Sequence, residues 1–196
     1  MRLLAVSDEI EDQLLDERTA AAKGRVDLVI GCGDLPADYL DALSCRYSAP
    51  LVFVRGNHDP PRGQGGYPVG AEIDGRVVRE GDLLIAGLEG SLRYSDGPHQ
   101  YREWQMRNKV IGVRLRLWRR RLDVLITHGP PAGVHEGPDR AHHGLAAVRQ
   151  AVDWMRPQVL LHGHVHPYGH PISDAQMGET RVINVVGHRL VEVVPR

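Results

Sequence analysis

Aromatic side chains are scarce in this 196-residue chain, at 5% with a single phenylalanine, so its core must be built from valine, leucine, isoleucine and alanine. Cysteine is scarcer still. Cys32 and Cys45 are too few for a disulfide scaffold and point to a reducing compartment. Neither sign of charge dominates: 24 Lys plus Arg face 25 Asp plus Glu, so no bulk attraction to nucleic acid or a membrane surface is indicated. No apolar run is long enough to span a bilayer, and Met1-Arg2-Leu3-Leu4 enters a strand without a charged-then-apolar leader. The expectation is a soluble, cytoplasmic protein of one compact domain, residues 1–196, burying roughly 70% of its unfolded surface.

Short apolar runs, bounded by glycine and polar residues, read as buried strands: Leu3 to Val6, Leu28 to Ile30, Leu51 to Val54, Val124 to Ile126 and Val159 to Leu161. Helical segments are expected ending near Lys23-Gly24, over Pro36 to Arg46, Tyr101 to Leu122, and Gly144 to Met155. Asp74-Gly75 suggests a hairpin between two short strands, with a third strand over Leu83 to Gly87. Strands at Arg181 to Val186 and Leu190 to Val194 close the chain. Alternating strands and helices followed by consecutive strands argue for a layered α/β architecture.

Metal-binding residue types follow each of the five runs: Asp8, then Gly33-Asp34, Gly56-Asn57-His58-Asp59, Thr127-His128-Gly129 and Gly163-His164-Val165-His166. Strands stacked side by side would bring these ends to one edge. Singly each motif is weak, since Gly, Asn and Asp favour ordinary turns and a lone histidine after a strand is more often structural. Gly163-His164-Val165-His166 is stronger, because residues two apart on an extended segment face the same side. Its competing reading is a His-rich surface loop, for which His162 and His170 nearby speak. In order, the set spans nearly the whole chain. Two cations held about 3.5–4 Å apart need a bridging carboxylate, and Asp34, after a glycine, is the candidate. Without cysteine ligands, Mn²⁺, Fe, Mg²⁺ or Zn²⁺ suits such a site better than a thiolate cluster would, with Ni²⁺ a further candidate.

This ordered set resembles the calcineurin-like metallophosphoesterases. The resemblance implies a four-layer αββα sandwich with a binuclear metal site, in which Asp8 and His166 bind the first ion. Asn57, His128 and His164 bind the second, and Asp34 bridges. It implies that His58 binds no metal and faces the leaving group, where an imidazolium donates a proton. Asp59, next in the chain, is expected to accept a hydrogen bond from the other ring nitrogen and fix its tautomer. The implied reaction is attack by metal-bound hydroxide on a phosphodiester or nucleotide-type phosphate ester, a small-molecule substrate. The chain is short, like the small phosphodiesterase-like members.

One position departs from the pattern. Where the family has Asp-x-His, this chain reads Asp8-Glu9-Ile10, and isoleucine cannot bind a metal. Water fills the vacancy and favours Mn²⁺ or Mg²⁺; or Glu9, Glu11 or Asp12 curls in; or the first site is weak or empty. The first of these is the expectation. Ile10 is also the feature that favours a non-catalytic interaction module on the same fold. A nuclease drawn to nucleic acid by arginines is a weaker alternative.

Outside the motifs, the loop after His128 carries His135, Asp139, Arg140, His142 and His143, which are either a polar surface loop or contacts to a phosphate or leaving group, with Arg140 and His143 the best candidates. Arg55 is either a phosphate ligand or a structural ion pair. The helix expected over residues 101–122 carries two apolar stripes. Trp104, Ile111, Leu115, Trp118 and Leu122 form one, and Met106, Val110, Val113 and Leu117 form the other, with arginines between. One stripe is expected to meet a second copy of the chain, giving a homodimer.

Overall fold

The computed structural model describes residues 1–167, 169 and 172–196. In chain order the elements begin with β1 (Arg2–Ser7), α1 (Glu17–Lys23), β2 (Leu28–Gly31), α2 (Ala37–Tyr47) and β3 (Leu51–Phe53). Next come β4 (Ala71–Glu72), β5 (Val77–Glu80), β6 (Leu83–Leu88), β7 (Ser91–Leu92), β8 (Gln100–Tyr101) and α3 (Glu103–Leu117). The chain ends with β9 (Val124–Thr127), α4 (Ala146–Met155), β10 (Val159–His162), β11 (Ala175–Met177), β12 (Thr180–Asn184) and β13 (Gly187–Glu192). One sheet has the order β13-β1-β2-β3-β4 and the other β11-β12-β10-β9-β6-β5.

Strand alternation divides the core into three layers. Leu3, Ala5, Leu28 and Ile30 face Ile85, Val124, Ile126 and Leu161 between the sheets. Leu4, Val6 and Val29 point the other way, onto Leu40 and Leu43 of α2. On the second sheet, Ala86, Leu125 and Leu160 meet Met106, Val110 and Val113 of α3 and Val148 and Val152 of α4. The result is the four-layer αββα sandwich.

β1, β2 and β3 run parallel, as do β6, β9, β10 and β12, so in each sheet the strand C-termini share an edge. The two edges meet: the Gly90 N–H donates to the Arg55 carbonyl, and the His128 ring bonds the Cys32 carbonyl.

Two expectations need correction. Asp74-Gly75 is not the turn of a hairpin, because β4 pairs with β3 in one sheet while β5 pairs with β6 in the other. The segment is a crossing between sheets, and the hairpin lies one strand later, at Gly81 with its φ of 55°. The helix expected to reach Leu122 stops at Leu117, and Trp118 leaves it at φ 53°. Of the two stripes on α3, Met106, Val110, Val113 and Leu117 are buried. Trp104 and Trp118 are 59% and 72% exposed, and Leu122 is buried beyond the helix end. Among the described residues no helix is long and apolar enough to cross a membrane.

Candidate metal centre

Three of the motif residues leave their strands in the left-handed region: Asp8 at φ 62°, Asp34 at φ 57° and His164 at φ 70°. Such a conformation costs a non-glycine residue of order 1–3 kcal/mol and persists where the surroundings hold it. Here they do. The Asp34 Oδ1 accepts the His58 N–H at 2.8 Å, and the Asp8 Oδ2 accepts the His164 N–H at 2.9 Å and the Ser7 hydroxyl at 2.5 Å. The adjacent glycines are needed for clearance. A Cβ on Gly56 would lie 2.0 Å from the Asp34 Oδ1, and one on Gly163 would lie 2.3 Å from the Asp8 Oδ2.

Ligand atoms of Asp8, Asp34 and His128 all lie within 4.8 Å of one another. His128 is fully buried, and its Nδ1–H donates to the Cys32 carbonyl at 2.9 Å, which leaves the Nε2 lone pair facing the site. That nitrogen sits 3.0 Å from the Asn57 Oδ1 and 3.2 Å from the Asp34 Oδ2. Three electron-rich atoms converging in this way call for a cation between them. Without a metal, a proton takes that place. Burial alone would lower the His128 pKa, but the Asp34 charge and hydrogen bond outweigh it and raise it to about 9. Burial would likewise raise Asp34, and His128 with the His58 N–H brings it down to about 2. The donors are oxygen and imidazole nitrogen, a set that fits a hard or borderline divalent ion.

The remaining motif residues surround this cluster. The His164 ring lies 4.9 Å from that of His128, with Nε2–H donating to the Ala141 carbonyl at 2.7 Å, and burial holds its pKa down at about 3. His166 is looser, its Nε2 3.9 Å from the Asp8 Oδ1 and its Nδ1 3.3 Å from the Glu9 Oε1. Of the carboxylates that could replace the missing imidazole, Glu9 therefore approaches His166, while Glu11 is taken up by His188 at 2.8 Å. Ile10 is 53% exposed.

His58 is exposed beside Asp34. Asp59 does not orient it. The Asp59 Oδ2 instead accepts the backbone N–H groups of Gly56 at 2.7 Å and Asp34 at 3.0 Å, and so ties the two motif loops together. Burial raises its pKa.

The structure does not bring Arg140 or His143 into the cluster. Arg140 lines a neighbouring groove with Arg93, Tyr94 and Arg102, and His143 is exposed. The residue of that loop that does reach the site is His142, whose ring lies 5.2 Å from His164. Asp139 caps the turn and holds the His142 Nδ1 at 2.8 Å; both were among the loop candidates offered by the sequence, though not the two preferred there. Tyr94, whose hydroxyl accepts from the Asn57 Nδ2 at 3.1 Å, had no such signal. His162 is buried, with its ring 5.1 Å from that of His135, and is not part of a surface loop. His170 lies outside the described residues.

A family model for the calcineurin-like phosphoesterase superfamily domain matches residues 1–187. One solved crystal structure is similar over 98% of this chain and 99% of its own, at 18% identity and a TM-score of 0.71. Another, TT1561 of Thermus thermophilus, is similar over 95% of this chain and 89% of its own, at 17% identity and a TM-score of 0.68. GAP50, the anchor in the inner membrane complex of Plasmodium, is similar over 94% of this chain and 70% of its own, at 11% identity and a TM-score of 0.50. At these identities the structures share the fold. No curated protein matches the sequence significantly.

Proposed function

The chain belongs to the calcineurin-like phosphoesterase superfamily, and from that premise we propose that it is a metal-dependent hydrolase of a phosphodiester or nucleotide-type phosphate ester. The observation that carries the reading is the convergence of Asp8, Asp34 and His128 within 4.8 Å beside the exposed His58. In this reading Asp8, Asp34, Asn57, His128, His164 and His166 hold two divalent ions, Mn²⁺ first among the candidates. Bound ions of this kind supply Lewis acidity, which activates water and neutralises charge on a phosphoryl oxygen.

The chain's own residues do the rest. Asp34 presents Oδ2 inward because the His58 N–H holds Oδ1, and His128 presents Nε2 because Nδ1–H is committed to Cys32. Asp59 keeps the Asp34 and Gly56 backbones together, so His58 stays registered to the cluster. The His58 imidazolium donates a proton to the departing alkoxide. Two free cysteines, one buried and one exposed, are consistent with a cytoplasmic setting.

The second reading, a non-catalytic interaction module, rests on Ile10, which offers no ligand atom beside Asp8. The two are separated by hydrolysis of bis-p-nitrophenyl phosphate and p-nitrophenyl phosphate by metal-stripped protein, with Mn²⁺, Ni²⁺, Zn²⁺ or Mg²⁺ restored. Metal-dependent turnover that disappears in His58→Ala and Asp34→Ala supports the hydrolase. No turnover with any ion moves the weight to the interaction module.

A further inference from the structure

Charge that balances over the whole chain is segregated in space. At the C-terminal ends of α3 and α4 a groove of about 290 Å³ is lined by Arg114, Arg119, Arg120, Arg121, Arg156 and Arg196. Glu179 is the one acid among its lining residues. The two helices lead into the N-terminal ends of β9 and β10, whereas the candidate metal loops follow the C-terminal ends of the same strands. Each strand is four residues long, about 13 Å, so the groove is a separate place on the molecule.

Helix capping accounts for half of these arginines. Helix C-termini present unpaired carbonyls and a partial negative charge, which cations satisfy. Arg114 donates to the Trp118 carbonyl at 2.7 Å, Arg120 to the Arg116 carbonyl at 2.8 Å, and Arg196 to the Arg156 carbonyl at 3.3 Å. Glu179 lies 3.9 Å from Arg196. The side chains of Arg119, Arg121 and Arg156 are exposed and have no hydrogen bond or ion pair among the described residues. Trp118 and Trp154, at 72% and 42% exposed, line the same groove. Three spare cations beside two indole faces are complementary to a ligand that carries both spaced negative charges and flat rings.

We propose that this groove holds a segment of single-stranded nucleic acid, with phosphates on Arg119, Arg121 and Arg156 and bases stacked on Trp118 and Trp154. The inference concerns binding alone and stands apart from the phosphoesterase reading, because a strand held at this edge is not the ester presented to the metal centre. The indoles favour a single strand over a duplex, in which base faces are covered by their neighbours. An acidic peptide offers charge without rings. A bilayer surface is flat and would span the groove rather than enter it.

Fluorescence anisotropy of a labelled oligothymidylate of about twelve nucleotides, titrated with the full chain in EDTA, reads binding without hydrolysis. Three neutralised phosphates give a slope of about −2 in log K against log salt, so affinity should fall about twentyfold between about 50 and 200 mM salt. Replacing two exposed and unpartnered side chains together, Arg119→Gln with Arg121→Gln, should bring the slope to about −0.7. Trp118→Ala should weaken binding to the single strand at least about fivefold at fixed salt and leave binding to a duplex of the same length unchanged. No binding at about 50 mM salt, or a slope untouched by the double substitution, overturns the inference. So does binding that appears only with Mn²⁺, which places the strand at the metal centre, and so does capture on phosphatidylserine vesicles without oligonucleotide binding. Hydrolysis of the p-nitrophenyl esters is decided separately, so failure of either reading leaves the other standing.

Discussion

Glu89, at the end of β6, is the most deeply buried acid in the molecule's charged cluster, with a side chain 1% exposed. Its Oε2 faces the Arg62 Nη2 at 2.9 Å, its Oε1 faces the Lys109 Nζ at 3.2 Å and takes the Tyr101 hydroxyl, and His99 lies at 3.4 Å. Burial by itself would raise its pKa. The His99 hydrogen bond, Lys109, Tyr101 and Arg62 together hold it at about 2, against the usual 4.5. A depression of that size is worth about 3 kcal/mol at pH 7. Because the folded-state pKa is depressed, the stabilisation is full above pH 4.5 and is lost as pH falls toward 2. Asp74, 3.1 Å from the Glu89 N–H, has its pKa raised by burial and the Glu89 charge, so removing that charge returns part of the loss. Glu89→Gln should therefore cost about 2–3 kcal/mol at pH 7, equivalent to a fall in Tm of about 4–12 °C for a chain of this size. By pH 3 less than half of the difference should remain. Urea unfolding of both proteins at pH 7 and near pH 3, fitted with a common m value, measures this. A penalty under about 0.5 kcal/mol at pH 7, or one that does not shrink in acid, would refute the argument.

Gly56→Ala would place a methyl 2.0 Å from the Asp34 Oδ1 and 2.7 Å from the His128 Cε1, so Mn²⁺ affinity by calorimetry should fall at least tenfold while the far-UV spectrum stays native. Cys32 is fully buried and its thiol pKa is pushed well up by burial and the Asp8 charge, whereas Cys45 is exposed. One thiol should react with a disulfide reagent in native protein and two after denaturation; two fast native thiols would contradict the core assignment. We propose the exposed face of α3, with Trp104 at 59% and Leu115 at 69%, as a homodimer contact. Sedimentation of the wild type as a dimer and of Leu115→Glu as a monomer would support it, and a monomeric wild type at high concentration removes it.

The parallel strands β1, β2, β3, β9 and β10 were readable because each is a short, mainly aliphatic run and buried strands need no alternation, whereas β7, β8 and β11, which are not such runs, left no signal. What could not be read was partner choice. Asp74-Gly75 has hairpin chemistry, yet buried Ile73 packs against Gly87, where a Cβ would lie 2.7 Å from it, and this contact commits the chain to crossing between sheets. A turn signal fixes a local bend and says nothing of which sheet edge is vacant. The end of α3 was hidden for a similar reason. Nothing in Leu117-Trp118-Arg119-Arg120 breaks a helix by propensity, but Arg114 donates to the Trp118 carbonyl and Arg120 to the Arg116 carbonyl, so arginines supply the terminus that glycine usually marks.

The candidate site was more legible than the loops around it, and the physical cause is strain. Converging Asp8, Asp34 and His128 on one point requires left-handed backbone at Asp8, Asp34 and His164 and missing Cβ atoms at Gly33, Gly56 and Gly163. A Cβ on Gly33 would lie 2.5 Å from the Gly56 nitrogen and 2.6 Å from the His128 Nδ1, so the glycine of one motif makes room for the backbone of the next and for a ligand of the other sheet. Those demands must be written in residue type, and they appear in the sequence as Gly33 beside Asp34, Gly56 beside Asn57 and Gly163 beside His164. Residues that support the site through ordinary geometry leave no such trace. Tyr94 accepts one amide proton, and Glu89 gathers Arg62, His99, Tyr101 and Lys109 around one carboxylate. Each could have been a surface polar residue on sequence alone, and only the meeting of the two sheet edges gives it work to do.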